Sequence, residues 1–288
     1  MESNKNIQKN IIKIKSNYTK LDLIISAFLI SLIIIFILII SSHTSNKSTI
    51  IPTTPIISPT QPIITPSIKP KEDPPYIIDT TWIDPNKPIV ALTFDDGPYI
   101  GGTSSKIYDY LKTNNIKATF FLSGIQLEKH PEAIEIILDM GSQIANHTYS
   151  HSYLTKLTPE EIIAEEQKVI SIIEATGHTQ QCYLIRLPYG AYNDLVVETL
   201  SAPIILWNKD SIDWACQSVE EILNNLKDIK DGDIILMHDI KELSYQGLIA
   251  LVPLLQKQDF QFVTIDELFQ FKNIELLPGK IYYSGNDK

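Results

Sequence analysis

From residue 87 onward the chain alternates between short apolar runs and longer stretches with a helical stripe. The apolar runs fall at 88–94, 117–122, 143–145, 182–187, 203–207, 233–237 and 261–264. Their length and apolar continuity predict buried strands. The clearest helix is predicted to start at Thr158, a capping residue, with Pro159 as its first helical position and Glu161 completing a capping box. Ile162, Ile163, Val169, Ile170 and Ile173 keep its apolar stripe until Gly177 ends it. Strands that alternate with helices imply a parallel sheet with helices outside it, and about seven such units suit an α/β barrel.

Ahead of this region the pattern changes twice. Residues 23–40 are apolar apart from Ser26 and Ser31, and as a helix they would rise about 27 Å, close to the hydrocarbon thickness of a bilayer. Lys5, Lys9, Lys13, Lys15 and Lys20 precede them. A cleaved signal would show a small-x-small site, and none stands out in Ser41-Ser42-His43-Thr44, so a retained anchor is expected. The basic flank places the amino terminus in the cytoplasm and the rest outside. The expected organisation is a basic cytoplasmic tail (1–20), a single-pass transmembrane anchor (21–41), a Pro-, Ser- and Thr-rich linker (42–86), the α/β domain (87–271) and a C-terminal tail (272–288). Pro52, Pro55, Pro59, Pro62, Pro66, Pro70, Pro74 and Pro75 keep the linker extended.

Composition adds little beyond exclusions. A formal net charge of −10 argues against a nucleic-acid partner. Cys182 and Cys216 are the only cysteines and are open to two readings, a disulfide or two free thiols.

The candidate chemistry collects where the strands end. Asp95 and Asp96 follow the first apolar run and are turned out of it by Gly97-Pro98. His147 and His151 follow the third run at i, i+4 spacing, which lets two imidazoles meet one ion. Arg186 nearly ends the fourth, Asp210, Asp213 and Trp214 follow the fifth, and His238 and Asp239 end the sixth. In parallel barrels that end of the strands carries the active site.

In order, Thr93-Phe94-Asp95-Asp96-Gly97-Pro98, His147-Thr148-Tyr149-Ser150-His151, Arg186-Leu187-Pro188-Tyr189-Gly190, Asp210-Ser211-Ile212-Asp213-Trp214 and Leu236-Met237-His238-Asp239 resemble the five motifs of the polysaccharide deacetylases. This is the NodB-homology type, carbohydrate esterase family 4, and the likeness is to its bacterial peptidoglycan N-acetylglucosamine deacetylases. It covers residues 87–271; Leu187 stands at a variable place, often Pro.

The resemblance implies a distorted (β/α) barrel and a divalent metal held by Asp96, His147 and His151, zinc first, with cobalt or another divalent ion also allowed. It makes Asp95 the general base, oriented by Arg186. His238 becomes the general acid, oriented by Asp213, although spacing leaves Asp210 open for that part. The Tyr189 backbone N–H would meet the developing oxyanion, while Trp214 and Leu236 would wall an acetyl pocket. Asp239 reads as a turn or capping residue, and Tyr149 and Tyr153 as candidates for a sugar groove. The substrate implied is a cell-wall glycan, peptidoglycan first. Chitin oligosaccharides, N-acetylmuramic acid and acetylxylan are rivals, and a non-catalytic wall-binding surface protein is the alternative from another class.

Overall fold

The computed structural model describes residues 78–178 and 183–287. The expected basic tail, the anchor at 21–41, most of the linker and Cys182 lie outside these residues. Among the described residues no helix is long and apolar enough to cross a membrane.

The strands are β1 Ile89–Asp95, β2 Thr119–Leu122, β3 Gln143–Asn146, β4 Ile204–Ile205, β5 Lys209–Asp210, β6 Ile234–His238, β7 Gln261–Val263 and β8 Ile281–Tyr282. All pairings between them are parallel. One sheet runs β3-β2-β1-β6-β5, with β7 also on β1; β4 and β8 form a second. Single bridges from Asn146 to Ile185 and from Ile185 to Ile204 join the two. Because β4 and β5 belong to one stretch of chain, these pairings close a ring, the distorted barrel.

β1 is buried at every position, as a central parallel strand must be. Its period of two then sorts its side chains. Val90, Leu92 and Phe94 join the apolar layer under the outer helices. Ile89 and Ala91 join the cluster inside the ring, and by the same alternation Thr93 and Asp95 point inward above them. On β6, Ile235 and Met237 face the helices, which leaves Leu236 and His238 facing in.

The helices are α1 Thr103–Thr113, α2 Gly124–Lys129, α3 Ala133–Asp139, α4 Pro159–Glu174, α5 Asp194–Thr199, α6 Val219–Asn225, α7 Glu242–Gln256 and α8 Ile265–Phe271. In α4, Thr158 and Glu161 form the expected reciprocal cap, and Gly177 follows at φ 92°. Ile162, Val169 and Ile173 are buried, whereas Ile163 is exposed.

Three expectations change. The described part of the run at 182–187, residues 183–187, forms no strand of its own; Ile185 bridges β3 to β4, and Pro188, which lacks an N–H, opens a turn after Leu187. Residues 272–288, expected as a tail, contain β8, and Tyr282 is wholly buried with its hydroxyl donating to the Glu275 carbonyl at 2.9 Å. At the other end, in the range expected as linker, Ile83 is buried and the Trp82 indole donates to Glu267 at 3.1 Å.

Candidate metal centre and active site

Past the last residue of β1 the chain turns sharply, with Asp96 at φ 78°. Thr148, His151, Tyr189 and Ile212 also occupy the left-handed region, at φ 64°, 58°, 62° and 51°. A non-glycine residue there costs of order 1–3 kcal/mol, and such strain gathers where side chains must be aimed. Each of these residues lies within a turn after a strand or bridge of the ring.

Asp96, His147 and His151 bring one ligand atom each within 4.8 Å of one another. Asp96 Oδ1 stands 3.1 Å from His151 Nε2 and 3.4 Å from His147 Nε2. His147 Nδ1 is 2.9 Å from the Arg186 carbonyl; donating its proton there leaves Nε2 as the free lone pair facing Asp96. Burial raises the pKa of Asp96, but the His147 and His151 rings, when protonated, donate to it and outweigh burial, holding the carboxyl well below the usual range. Two imidazoles and one carboxylate, with the remaining side open to a cleft, fit a catalytic divalent cation better than a closed structural one. Replacing His147 or His151 with Ala is expected to lower both bound metal and activity sharply. Calorimetric titration with Zn²⁺ checks this, and stoichiometric tight binding in either variant would sink the triad.

Asp95 sits beside this set, Oδ2 3.7 Å from His147 Nε2. Its Oδ1 accepts from Arg186 Nη1 at 2.8 Å. Arg186 is fully buried, and its other bonds go to Thr93 Oγ1 (2.7 Å) and to the carbonyls of Ile205 (2.9 Å) and Leu206 (3.0 Å). The guanidinium also lies 4.0 Å from the ring centroid of Phe121. So held, it can neither swing nor pair elsewhere, and it fixes the carboxylate it faces.

Across the cleft, His238 Nδ1 is 2.7 Å from Asp213 Oδ1, and the His238 backbone N–H donates to Asp213 Oδ2 at 2.8 Å. Asp210 does not take that part: its carboxylate accepts from Ile212 N at 2.8 Å, within its own loop. Burial lowers the His238 pKa, but the hydrogen bond and charge of Asp213 outweigh it and push it up to about 9.

Asp95, Asp96, His147, His151 and His238 open on a cleft of about 400 Å³, together with Tyr189, Trp214 and Leu236. Tyr189 packs edge-on to His151 at 4.7 Å and stacks on Tyr153 at 3.9 Å. Tyr149 is directed away, its hydroxyl on Glu128. Asp239 is buried under the turn after Asp96, taking the Tyr108 hydroxyl at 3.2 Å, and burial pushes its pKa up to about 7. A Cβ on Gly97 would fall 2.2 Å from the Asp239 carboxylate, which explains the glycine there. Cys216 is half-buried, its thiol 3.8 Å from the Ser211 carbonyl.

The residues not singled out from sequence are Trp207, Ile240 and Lys241 on the cleft wall, and Thr93 on Arg186. Trp207 ends a predicted strand on the side where such residues gather, a signal that could have found it. Ile240 and Lys241 follow the last motif with no pattern of their own.

Residues 83–202 match the family described as polysaccharide deacetylase. A peptidoglycan-N-acetylglucosamine deacetylase of Listeria monocytogenes is 37% identical over 202 residues, covering 69% of this chain and 42% of that protein. One of the same name from Bacillus cereus is 38% identical over 194 residues, covering 64% and 70%. Among solved structures, a family 4 acetyl xylan esterase from Clostridium thermocellum in complex with a cobalt ion is 25% identical at a TM-score of 0.64, covering 68% of this chain and 98% of that one. The chain thus spans under half the length of the Listeria protein.

Proposed function

The chain belongs to the polysaccharide deacetylase family, and from that premise we propose that it is a metal-dependent N-deacetylase that hydrolyses the acetamide of N-acetylglucosamine in peptidoglycan, releasing acetate and leaving a free amine. The observation that carries this reading is the pairing, in one cleft, of a carboxylate fixed by a buried arginine with a histidine held by a buried carboxylate. Amide hydrolysis needs both, a base for the water and an acid for the amine.

Asp96, His147 and His151 would hold the ion, with zinc first and cobalt or another divalent ion suiting the same ligands. When bound, it polarises a carbonyl and acidifies water. Asp95 takes the proton of the attacking water on Oδ2, because Oδ1 is occupied by Arg186. The Tyr189 backbone N–H serves the developing oxyanion, a contribution typically worth ~3 kcal/mol. With Nδ1 tied to Asp213, His238 offers its Nε2 proton to the leaving amine. Trp214 and Leu236 enclose the acetyl methyl group.

The relatives' names support peptidoglycan, and acetylxylan, chitin oligosaccharides and N-acetylmuramic acid are the competing substrates. Purified full-length chain with added Zn²⁺ or Co²⁺ is expected to release acetate from wall glycans, read by mass loss on the glucosamine. Loss confined to chitin oligomers, muramic acid or xylan would transfer the assignment. No loss on any glycan would favour a wall-binding protein without chemistry.

The proposed setting is the bacterial cell membrane, with residues 21–41 as a single span, the amino terminus in the cytoplasm and the barrel outside. The full chain should then sediment with membranes, and its barrel should yield to protease added to intact protoplasts. A shortened, soluble product in the medium would refute the anchor.

A further inference from the structure

The cleft carries a cation whose charge the proposed reaction does not use. Lys241 stands immediately before α7 and lines the cleft with Trp214 and Ile240. Its ammonium donates to the Trp214 backbone carbonyl at 2.5 Å. A carbonyl oxygen orients an ammonium but leaves its unit charge uncompensated. Among the described residues the lysines paired with carboxylates are Lys106, Lys117, Lys168, Lys209 and Lys272, not Lys241. Apart from the histidines and Tyr189, the other ionisable side chains on the cleft wall are the carboxylates Asp95, Asp96 and Asp210.

With Asp95 paired to Arg186 and Asp96 in the metal set, Asp210 is the carboxylate of this wall left to oppose a substrate that carries carboxylates, on a chain of net charge −10. Lys241 presents the opposite sign on the same cleft wall. Because the carbonyl already holds its ammonium, little further side-chain entropy is lost when a ligand pairs with it. We propose that Lys241 is a specificity-determining residue: it pairs with a carboxylate on the sugar adjoining the one deacetylated, and so selects acidic, lactyl- or peptide-bearing glycans over neutral ones. This deepens the deacetylase reading and rests on it.

The test uses the full-length chain and two tetrasaccharides. One alternates N-acetylglucosamine with N-acetylmuramic acid bearing free lactyl carboxylates; the other is chitotetraose. Lys241→Met is expected to lower kcat/KM on the carboxylated glycan about three- to fivefold, through KM, and to leave chitotetraose unchanged. Lys241→Arg should restore the difference, and added salt should erode it in the parent chain. An equal loss on both glycans would mean that Lys241 only ties the Trp214 loop to α7, and no loss on either would leave its charge without a role; both outcomes overturn the proposal. A parent chain that releases acetate from neither glycan refutes the deacetylase reading instead. Calorimetric binding of the same two glycans then decides on Lys241, because equal affinities in Lys241→Met and parent overturn it and a selective loss supports it.

Discussion

Asp95→Asn is expected to reduce acetate release by about 10²–10⁴-fold while the protein still binds its metal. Asparagine has the same size and keeps an oxygen for Arg186, but it cannot accept the proton. The same variant should also be less stable. Arg186 has no exposure, and Asp95 is the carboxylate it pairs with among the described residues. Removing one partner of a buried pair typically costs about 3–5 kcal/mol, because the other charge stays buried without compensation. Asparagine's remaining hydrogen bond should hold the loss to the lower part of that range. Denaturant unfolding and Zn²⁺ titration read the two effects separately. Asp96→Asn should do the opposite, weakening the metal directly. If Asp95→Asn loses the metal while Asp96→Asn keeps it, the adjacent carboxylates have exchanged roles.

The second large effect belongs to His238. His238→Ala should slow deacetylation by about 10²–10⁴-fold, because a leaving amine must be protonated as the C–N bond breaks. An activated aryl acetate, whose leaving group departs without a proton, should suffer much less. Equal losses on the two substrates would show that His238 shapes the site rather than donating a proton.

Titration gives an independent check on the same residue. His238 is raised to about 9, so in the free enzyme the acid is protonated below that value and kcat/KM should fall as pH rises through it. A cation bound beside Asp95 and Asp96 offsets the part those carboxylates contribute and moves that limb lower. Asp213→Asn removes the group that raises His238 most and should lower the limb further. The stability contributed by the His238–Asp213 pair follows the same sign, complete below the ordinary histidine pKa of about 6.5 and lost as pH climbs through the folded value. Asp210→Asn should leave the profile in place, since that side chain serves Ile212.

The alternation of buried strands and helices was legible in the sequence because parallel strands are continuously apolar and the α4 cap carries its own signature. So was the gathering of polar residues where strands end. The choice between Asp210 and Asp213 was not. Spacing treats them alike, and what separates them is a left-handed residue, Ile212, which turns the chain between the two. β8 escaped for another reason: two residues are too few to show a period, and Tyr282 is recognisable as core only once its partners are in place. Lys241 is an ordinary polar residue in sequence and becomes informative only beside the Trp214 carbonyl.

The ring places together residues that are far apart along the chain. Thr93 bonds across to the Ile235 carbonyl over 142 positions, and Arg186 reaches Asp95 over 91. Such pairings must meet their loop-closure entropy before they return any stabilisation, so a chain of this topology folds slowly compared with helical proteins. No short segment holds base, metal ligands and acid at once. Base, metal ligands and acid therefore stand together only once β6 has docked beside β1, and a partly folded chain stays chemically silent until then.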